Sequence, residues 1–389
     1  MATFLTNGRC GDGRDVNLRL VDGRIDALAD RPDRRDFVVD LQGDRVLPGL
    51  INAHDHLQLN GLAGCSFQKQ YADAREWIQD VDNRRRADPA FKAQVAQPRA
   101  TRLLIGAIKN LLSGVTTVAH HDPLYPDLTD NNFPVKVVQQ YGWSHSLHVD
   151  GDEAVRASYR ETPSAWPWMI HAAEGVNAEA AGEFSRLQSL DCIGANTLLI
   201  HGIAMSESHR QQLHRAGGGL VWCPSSNLKL FGKTTRVAEL AAAGRVALGS
   251  DSRLSGSRDL LQELRLAGEI GELDLPTLEK IVTCDSARLL RTLDRGALRP
   301  GLCADILLLP ADMPLTHARR EDVRLVIIDG IPRYGDIEYA VRMSPKIPWT
   351  QVRVDGQLKV LHPHIASLLQ TSRVQDAGLE FLDEQGKAA

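Results

Sequence analysis

The feature that most constrains the fold of this chain is a regular alternation of short apolar runs and helical stretches between residues 48 and 290. The apolar runs that end in polar residues are 50–53, 115–119, 168–170, 198–200, 219–222 and 246–248. The helical stretches include 99–112, 207–216, 235–243 and 258–266. Such alternation predicts a parallel α/β architecture, with a closed barrel favoured over an open sheet. No Gly-x-Gly-x-x-Gly motif follows an early strand, which argues against a nucleotide-binding open sheet.

The two ends of the chain have a different, strand-rich pattern. Residues 17–21 and 24–28 alternate on either side of Asp22-Gly23, which is a strong hairpin signal. Strand-like runs return near the other end at 304–309 and 323–329. We therefore expect the ends to fold together beside the barrel.

These patterns predict an α/β fold with two units. Residues 48–290 are expected to form a (β/α)8 TIM barrel, and residues 1–47 plus 291–389 a small composite β-sandwich domain. The segment between His56 and His171 is short, so one strand–helix unit of the barrel is expected to be abbreviated.

Charge and hydropathy exclude several classes of partner. The chain has 389 residues with 45 basic and 49 acidic side chains, a formal charge of −4. This balance gives no basic field, so we expect no nucleic-acid or anionic-membrane partner. No run approaches the ~18 apolar residues of a membrane-spanning helix. The N-terminus lacks a signal-peptide core, and the six cysteines are scattered, so a cytoplasmic protein with reduced thiols is expected.

Two histidines close the first apolar run of the predicted barrel. His54 and His56 flank Asp55. Because residues two apart in a strand point to the same side, both imidazoles can converge on one ion. Imidazole suits zinc and similar first-row metals. Alone, this pair is a weak signal for a metal site.

Three later runs end in further ligand-type residues, which strengthens that signal. His171 ends the run at 168–170 with Glu174 three residues beyond it, His201 ends 198–200, and Asp251 follows 246–248. Barrel enzymes place their chemistry at the carboxyl ends of their strands. Buried structural histidines explain one such residue easily but explain the whole set poorly.

The ordered motifs make this chain resemble the amidohydrolase superfamily, in particular its cytosine-deaminase-like branch with the triazine hydrolases and guanine deaminase. The matching segments are 48–56, 113–118, 171–174, 199–202, 221–228, 248–252 and 301–307. The resemblance extends over residues 15–335. Each motif alone is modest, but their order is highly specific.

The resemblance implies one divalent metal ion, with zinc expected and iron(II) or manganese(II) as alternatives. Its implied ligands are His54, His56, His171 and Asp251. By the same resemblance His201 lies beside the metal-bound water or the substrate, Asp251 accepts a proton from that water, and Glu174 passes a proton to the ring nitrogen or leaving group. A divalent metal lowers the pKa of bound water towards ~7, so hydroxide becomes available at neutral pH.

Dinuclear members of the superfamily use a carbamylated lysine at the fourth strand end. Between Asp122 and His171 the one lysine is Lys136, which comes too early in its element to fill that role. The sequence therefore favours a single metal ion.

Substrate contacts are predicted at the strand ends and the loop above them. The candidates are Gln58, His121, Trp222 and His201. For His121, a hydrogen bond behind the ligands and a direct substrate contact both stay open. Asn227 is expected to hold loop backbone. Residues 60–88 are expected to cover the pocket, where Lys69 or Arg75 either anchors an anionic group or is solvated.

Hydrolytic deamination of a small nitrogen heterocycle, with metal-bound hydroxide as nucleophile and ammonia as product, is the leading functional prediction. The alternative is hydrolytic opening of a cyclic amide, as in imidazolonepropionase-like relatives. A non-catalytic binding relative is a remote alternative, because such proteins usually lose ligands and all five expected positions are filled here. Homodimers are common in the family, but no feature of this sequence decides the oligomeric state, so a homodimer stays open.

Overall fold

The computed structural model describes residues 2–11, 13–63 and 69–383. The N-terminal strands are β1 (Thr3–Arg9), β2 (Asp15–Val21), β3 (Arg24–Leu28), β4 (Phe37–Asp40) and β5 (Arg45–Pro48). β2 and β3 pair in antiparallel fashion around Asp22 and Gly23, whose φ angles of 47° and 78° fit a tight hairpin turn. The hairpin predicted from Asp-Gly is therefore confirmed.

Eight short strands then form the wall of a TIM-barrel-like α/β fold. They are β6 (Leu50–Asp55), β7 (Val115–His120), β8 (Lys136–Val137), β9 (Gly142–Ser146), β10 (Trp168–Ala172), β11 (Thr197–His201), β12 (Gly219–Trp222) and β13 (Val246–Leu248). β6, β7 and β8 pair in parallel, as do β9 to β13. The Asp251 N–H donates to the His54 carbonyl at 3.1 Å, which joins the end of the second group to the first.

Helices connect most of these strands. They are α1 (Ala74–Ala87), α2 (Pro89–Val95), α3 (Arg99–Leu112), α4 (Leu147–Asp150), α5 (Asp152–Glu161), α6 (Ala178–Ser189), α7 (Glu207–Ala216), α8 (Pro224–Phe231), α9 (Ala238–Ala242), α10 (Leu260–Ile270), α11 (Leu275–Lys280) and α12 (Cys284–Leu289). α3 and α7 have the predicted bounds. α10 begins two residues later than predicted, because the Asp259 side chain accepts from the Gln262 N–H and caps the helix.

One strand–helix unit of the barrel is shortened. β8 has two residues, and only four residues separate it from β9. Residues 138–141, all of which are described, form no helix. β8 pairs with β7 whereas β9 pairs with β10, so the missing helix lies at the junction of the two strand groups.

The C-terminal segment returns to the first sheet. Its elements are β14 (Ile306–Leu309), β15 (Leu325–Ile328), β16 (Ile331–Gly335), α13 (Ile337–Met343), β17 (Thr350–Val354), β18 (Gln357–Leu361), α14 (Pro363–Thr371) and β19 (Leu379–Phe381). β14 lies antiparallel to β5, with Leu307 opposite Leu47. Strands from both ends of the chain thus share one sheet, which runs from β19 to β3.

Apolar side chains fill the barrel interior and the layer around it. Ile51, Ala53, Met169, Ile200 and Val221 belong to one buried cluster inside the strands. A larger cluster packs helices against the outer faces of the strands and includes Leu111 and Phe184. These two layers fix the strand ends that carry the polar residues. No helix in the described ranges is both long and apolar enough to cross a bilayer.

Candidate metal centre and active site

Buried polar side chains from five strand ends meet at the carboxyl end of the barrel. They are His54 and His56 at the end of β6, His121 after β7, His171 on β10, His201 on β11 and Asp251 after β13. One ligand atom from each of the histidines 54, 56, 121 and 171 lies within 4.8 Å of the others. The same limit holds for His54, His201 and Asp251. The residues predicted from the strand ends are therefore brought together.

Close backbone packing brings Asp251 to His54. A Cβ atom on Gly249 would lie 2.6 Å from the Cβ of His54, so only glycine fits this approach without displacing the ring. Asp251 and His201 have φ angles of 51° and 71°, in the left-handed region that non-glycine residues rarely adopt. Such strain persists where surrounding structure enforces it, and it is common at functional sites.

Hydrogen bonds fix the orientation of three imidazole rings. His56 Nδ1 donates to Asp122 Oδ2 at 2.9 Å, and His171 Nδ1 donates to the His145 carbonyl at 2.8 Å. His201 Nδ1 donates to Asn227 Oδ1 at 2.8 Å. Each bond places the proton on Nδ1 and leaves Nε2 as a lone-pair donor. A hydrogen bond behind each ring is the usual support of a metal-binding histidine.

His54 supplies the direct test of whether this cluster fits a metal ion. Both ring nitrogens are buried, and neither has a hydrogen-bond partner within the described part of the chain. Burial, reinforced by His56 and His121, lowers the pKa of His54 well below its usual value, so the ring is neutral. Unpaired buried nitrogens are costly. The imidazole and carboxylate donors therefore fit a divalent first-row ion such as zinc.

Two carboxyl groups with opposite electrostatics flank the cluster. Burial opposes ionisation of Asp251, but His56, His201 and hydrogen bonds from its serine neighbours hold the pKa of its carboxyl below the usual value. Burial, reinforced by Asp251, raises the pKa of Glu174 well above its usual value. Glu174 Oε1 lies 3.6 Å from His201 Nε2. One carboxyl is thus set to accept a proton and the other to donate one.

A buried polar network lies beneath the strand ends. Lys109 on α3 is fully buried, and its Nζ lies 3.2 Å from Asp55 Oδ2 and donates to the Asp251 carbonyl at 2.6 Å. Asn60 and Asn110 also donate to the Asp55 carboxylate, each at 2.9 Å. This network ties α3 to both β6 and the turn after β13. It therefore supports the ligand-bearing segments from below.

A cavity of about 240 Å³ opens above the cluster. His56, His171, Glu174, His201 and Asp251 form its floor. Its upper wall comes from the apolar side chains Leu59, Trp77, Ile78, Val81 and Leu254, with Asp82 among them. The segment predicted to cover the pocket supplies most of this wall. Residues 64–68 of that segment lie outside the described residues.

The predicted substrate contacts divide into two groups. Gln58 and His201 line the cavity, and Gln58 Nε2 donates to Asp122 Oδ2 at 2.5 Å. His121 lies among the ligand candidates: its Nε2 donates to the Ser144 carbonyl at 2.9 Å, and its buried Nδ1 has no partner within the described ranges. The geometry thus favours a role for His121 at the cluster over one on the cavity wall.

The prediction of Trp222 as a substrate contact is corrected here, because the structure does not place this side chain on the cavity wall. Alternation along β12 directs Val221 into the barrel and Trp222 outwards into the helix layer. Trp222 is fully buried there, and its Nε1 donates to Thr234 Oγ1 at 2.8 Å. Lys136 pairs with Asp329 and contributes to neither ligand group.

Comparison with known proteins decides the family. The model of the amidohydrolase family matches residues 60–334. The chain belongs to this family. The match spans most of the barrel and agrees with the resemblance predicted from the motifs, so that prediction is confirmed.

Curated relatives of this amidohydrolase lie in the predicted branch. A 5-methylthioadenosine/S-adenosylhomocysteine deaminase of Halobacterium salinarum is 26% identical over 411 residues, covering 88% of this chain and 92% of the relative. A protein of the same name from Pelotomaculum thermopropionicum is 30% identical over 222 residues, covering 50% of this chain and 47% of the relative.

Solved structures share the fold. A triazine hydrolase variant has a TM-score of 0.71 at 17% identity, covering 85% of this chain and 94% of its own. An adenosine deaminase from Xanthomonas campestris with bound zinc has a TM-score of 0.71 at 18% identity, covering 95% and 97%. At these identities the likeness establishes the TIM-barrel-like fold.

Sequence reasoning missed several residues that shape the site of this amidohydrolase. Asn227, expected to hold loop backbone, accepts from His201. Lys109 gave a detectable signal, since it is a charged residue directly after the apolar run 103–108. Asp82 and His145 gave none, because nothing in their local sequence distinguishes a residue on a cavity wall from one in solvent.

Proposed function

We propose that this amidohydrolase uses a single divalent ion, with zinc preferred, to remove an amino group hydrolytically from a small nitrogen heterocycle. The observation that carries the proposal is the buried donor cluster, with an unpaired His54 at its centre and a cavity above it. The names of the curated relatives and the zinc in the adenosine deaminase structure support the choice of reaction and metal.

The proposed ligands of that ion are His54, His56, His171 and Asp251. When bound, it supplies Lewis acidity that makes water nucleophilic near neutral pH. The hydrogen bonds behind His56 and His171 keep both Nε2 lone pairs directed at the cluster. These two rings are thus preorganised and lose little freedom when the ion binds.

The proton transfers are assigned to Asp251 and Glu174. Asp251 accepts a proton from the attacking water, and Glu174 gives its proton to the ring nitrogen next to the attacked carbon. The bond from that carbon to the exocyclic nitrogen then breaks, and ammonia leaves after taking up the proton held by Asp251. The oxygen added from water becomes the carbonyl of the product, and its remaining proton returns to Glu174. His201, 3.6 Å from Glu174, stabilises the charge that develops on the ring.

The proposal is tested by an ammonia assay on the metal-loaded protein. Aminated purines, pyrimidines, pterins and triazines are supplied one at a time, and ammonia is measured for wild type and Glu174→Gln. We expect wild type to release ammonia from at least one compound and the variant to be slower by about 10²–10⁴-fold. Ring opening without ammonia would contradict deamination.

We further propose that residues 1–47 and 291–389 form one composite β-sandwich domain beside the barrel, of which 384–389 lie outside the described residues. The pairing of β5 with β14 supports this division, as does a shared buried cluster that includes Leu5, Leu18 and Ile306. Hydrogen exchange should protect both ends as one cooperative unit, and independent exchange would oppose it. The cytoplasmic location, the homodimer and the absence of a nucleic-acid partner stay predictions.

A further inference from the structure

The walls of the active-site cavity carry an unbalanced charge. Its acidic lining residues are Asp82, Asp122, Glu174 and Asp251, and no lysine or arginine is among the described residues that line it. Asp122 accepts hydrogen bonds from His56 and Gln58, and neither of these neutral groups removes its charge. Asp82 is exposed on α1, and no ion pair neutralises it within the described ranges. Asp82 therefore gives the cavity wall a free negative charge.

None of the nearby basic side chains is among the described residues that line the cavity. Lys229 on α8 lies closest to its wall, with its Nζ 3.5 Å from the Leu254 carbonyl oxygen. Lys109 is buried below the floor against Asp55. Arg75 pairs with Asp73 and Glu179. Lys69 lies 5.0 Å above the ring of Tyr71. Residues 64–68 read Gly-Cys-Ser-Phe-Gln, so they add no basic group. Lys69 and Arg75 are the two residues predicted to anchor an anionic group of the substrate. Arg75 is thus ion-paired and Lys69 stacked on an aromatic ring, and neither lines the cavity.

The remaining wall is apolar. Leu59, Trp77, Ile78, Val81 and Leu254 face the space above the cluster. A substrate whose ring lies at the floor directs its substituent against this wall. An apolar substituent gains there from burial. A carboxylate there loses water, meets no cation among the described lining residues and is repelled by Asp82.

We propose that this cavity selects amino-heterocycles, specifically aminopurine nucleosides, whose substituent carries apolar surface and is either neutral or cationic. A carboxylate on that substituent is disfavoured. This inference rests on the proposed deamination. The curated relatives are named for two compounds that differ in this respect. 5′-Methylthioadenosine ends in a neutral methylthio group, whereas S-adenosylhomocysteine ends in an amino acid.

Three probes with the same ring separate the effects of size and charge. They are 5′-methylthioadenosine, S-adenosylhomocysteine and the decarboxylated analogue of the latter, which keeps its amine. With the metal-loaded enzyme, we expect kcat/KM for S-adenosylhomocysteine to be at least about tenfold below the other two. Equal or faster turnover of S-adenosylhomocysteine would overturn the inference.

The probes also distinguish failure of this inference from failure of the proposed function. If none of the three is turned over but another heterocycle of the panel releases ammonia, the inference is wrong and deamination stands. If no heterocycle releases ammonia, both are wrong.

Charge reversal at Asp82 tests the residue itself. Because Asp82 is exposed on α1, Asp82→Lys should fold normally. It should raise kcat/KM for S-adenosylhomocysteine relative to 5′-methylthioadenosine by about tenfold. Glu153→Lys makes the same charge change at an exposed position on α5 that does not line the cavity, and it should leave the ratio within about twofold. An unchanged ratio in Asp82→Lys, or an equal change in both variants, would overturn the assignment.

Discussion

His56 Nε2 and His171 Nε2 lie 3.3 Å apart, and both rings already donate from Nδ1 to an oxygen acceptor. Two lone pairs therefore face each other at the centre of a buried site. In the absence of a shared proton or cation this arrangement is repulsive. A divalent ion held by both Nε2 atoms would remove the repulsion, which is the physical basis of the proposed centre.

His171→Ala should abolish stoichiometric metal binding, because it removes one donor of this pair and the His145 hydrogen bond that holds it. Metal content after dialysis, measured by plasma mass spectrometry, should fall from a single ion per chain to background. The control is His214→Ala, an exposed position on α7 that should keep the ion. Retention of the ion in His171→Ala would rule out this ligand.

Asn227→Ala should lower kcat/KM by about 10–100-fold, since the ring of His201 loses the acceptor that fixes its tautomer. The metal content should not change, because His201 is not among the proposed ligands. Asn227→Asp keeps an acceptor for His201 Nδ1 and should recover part of the activity. Equal activity of the Ala and Asp variants would contradict the positioning role.

Lys109→Met should destabilise the fold by about 3–5 kcal/mol, because it leaves the buried Asp55 carboxylate without its cation. Urea unfolding measures the loss. Lys92→Met changes an exposed lysine on the neighbouring α2 and should stay within about 0.5 kcal/mol of wild type. A Lys109 variant as stable as this control would show that the buried pair contributes nothing.

Stability should fall as pH rises towards 8, in part because of Glu263. Burial raises the pKa of this carboxyl to about 8 from a usual value of 4.5. The folded state therefore binds the proton more tightly than the unfolded state, and the free energy of unfolding decreases between these two pH values.

Glu263→Gln isolates this contribution, because it keeps an acceptor for the Ser225 N–H while removing the titration. The fall in the free energy of unfolding between pH 5 and pH 8 should be smaller in this variant than in wild type. Glu269→Gln, at an exposed position of the same helix, should retain the full slope. Parallel pH profiles for all three proteins would contradict the assignment.

The parts of the site that the sequence could predict follow from local geometry. His54 and His56 are two residues apart at a strand end, and barrel strands end at one face, so convergence with His171, His201 and Asp251 needs no knowledge of side-chain contacts. The Asp-Gly hairpin is local in the same sense. The bounds of six of the eight barrel strands were predictable to within two residues, because their apolar runs are short and sharply ended, whereas β8 and β9 were not among the predicted runs.

The parts that could not be predicted depend on contacts distant in sequence. Trp222 follows a strand whose inward face depends on its pairing register with β11 and β13, and a shift of one residue exchanges the two faces. The hydrogen bond from His201 to Asn227 joins two elements separated by α7. Likewise, Lys109 meets Asp55 only after α3 packs on the barrel.

The most direct test of the central claim is the stoichiometry of ammonia release by metal-loaded and metal-stripped protein, with the reactive aminated heterocycle in excess. The account predicts one ammonia for each heterocycle consumed by the loaded protein, loss of the reaction on stripping, and its return when zinc is restored. Consumption without ammonia, or ammonia release that is indifferent to the metal, would contradict it.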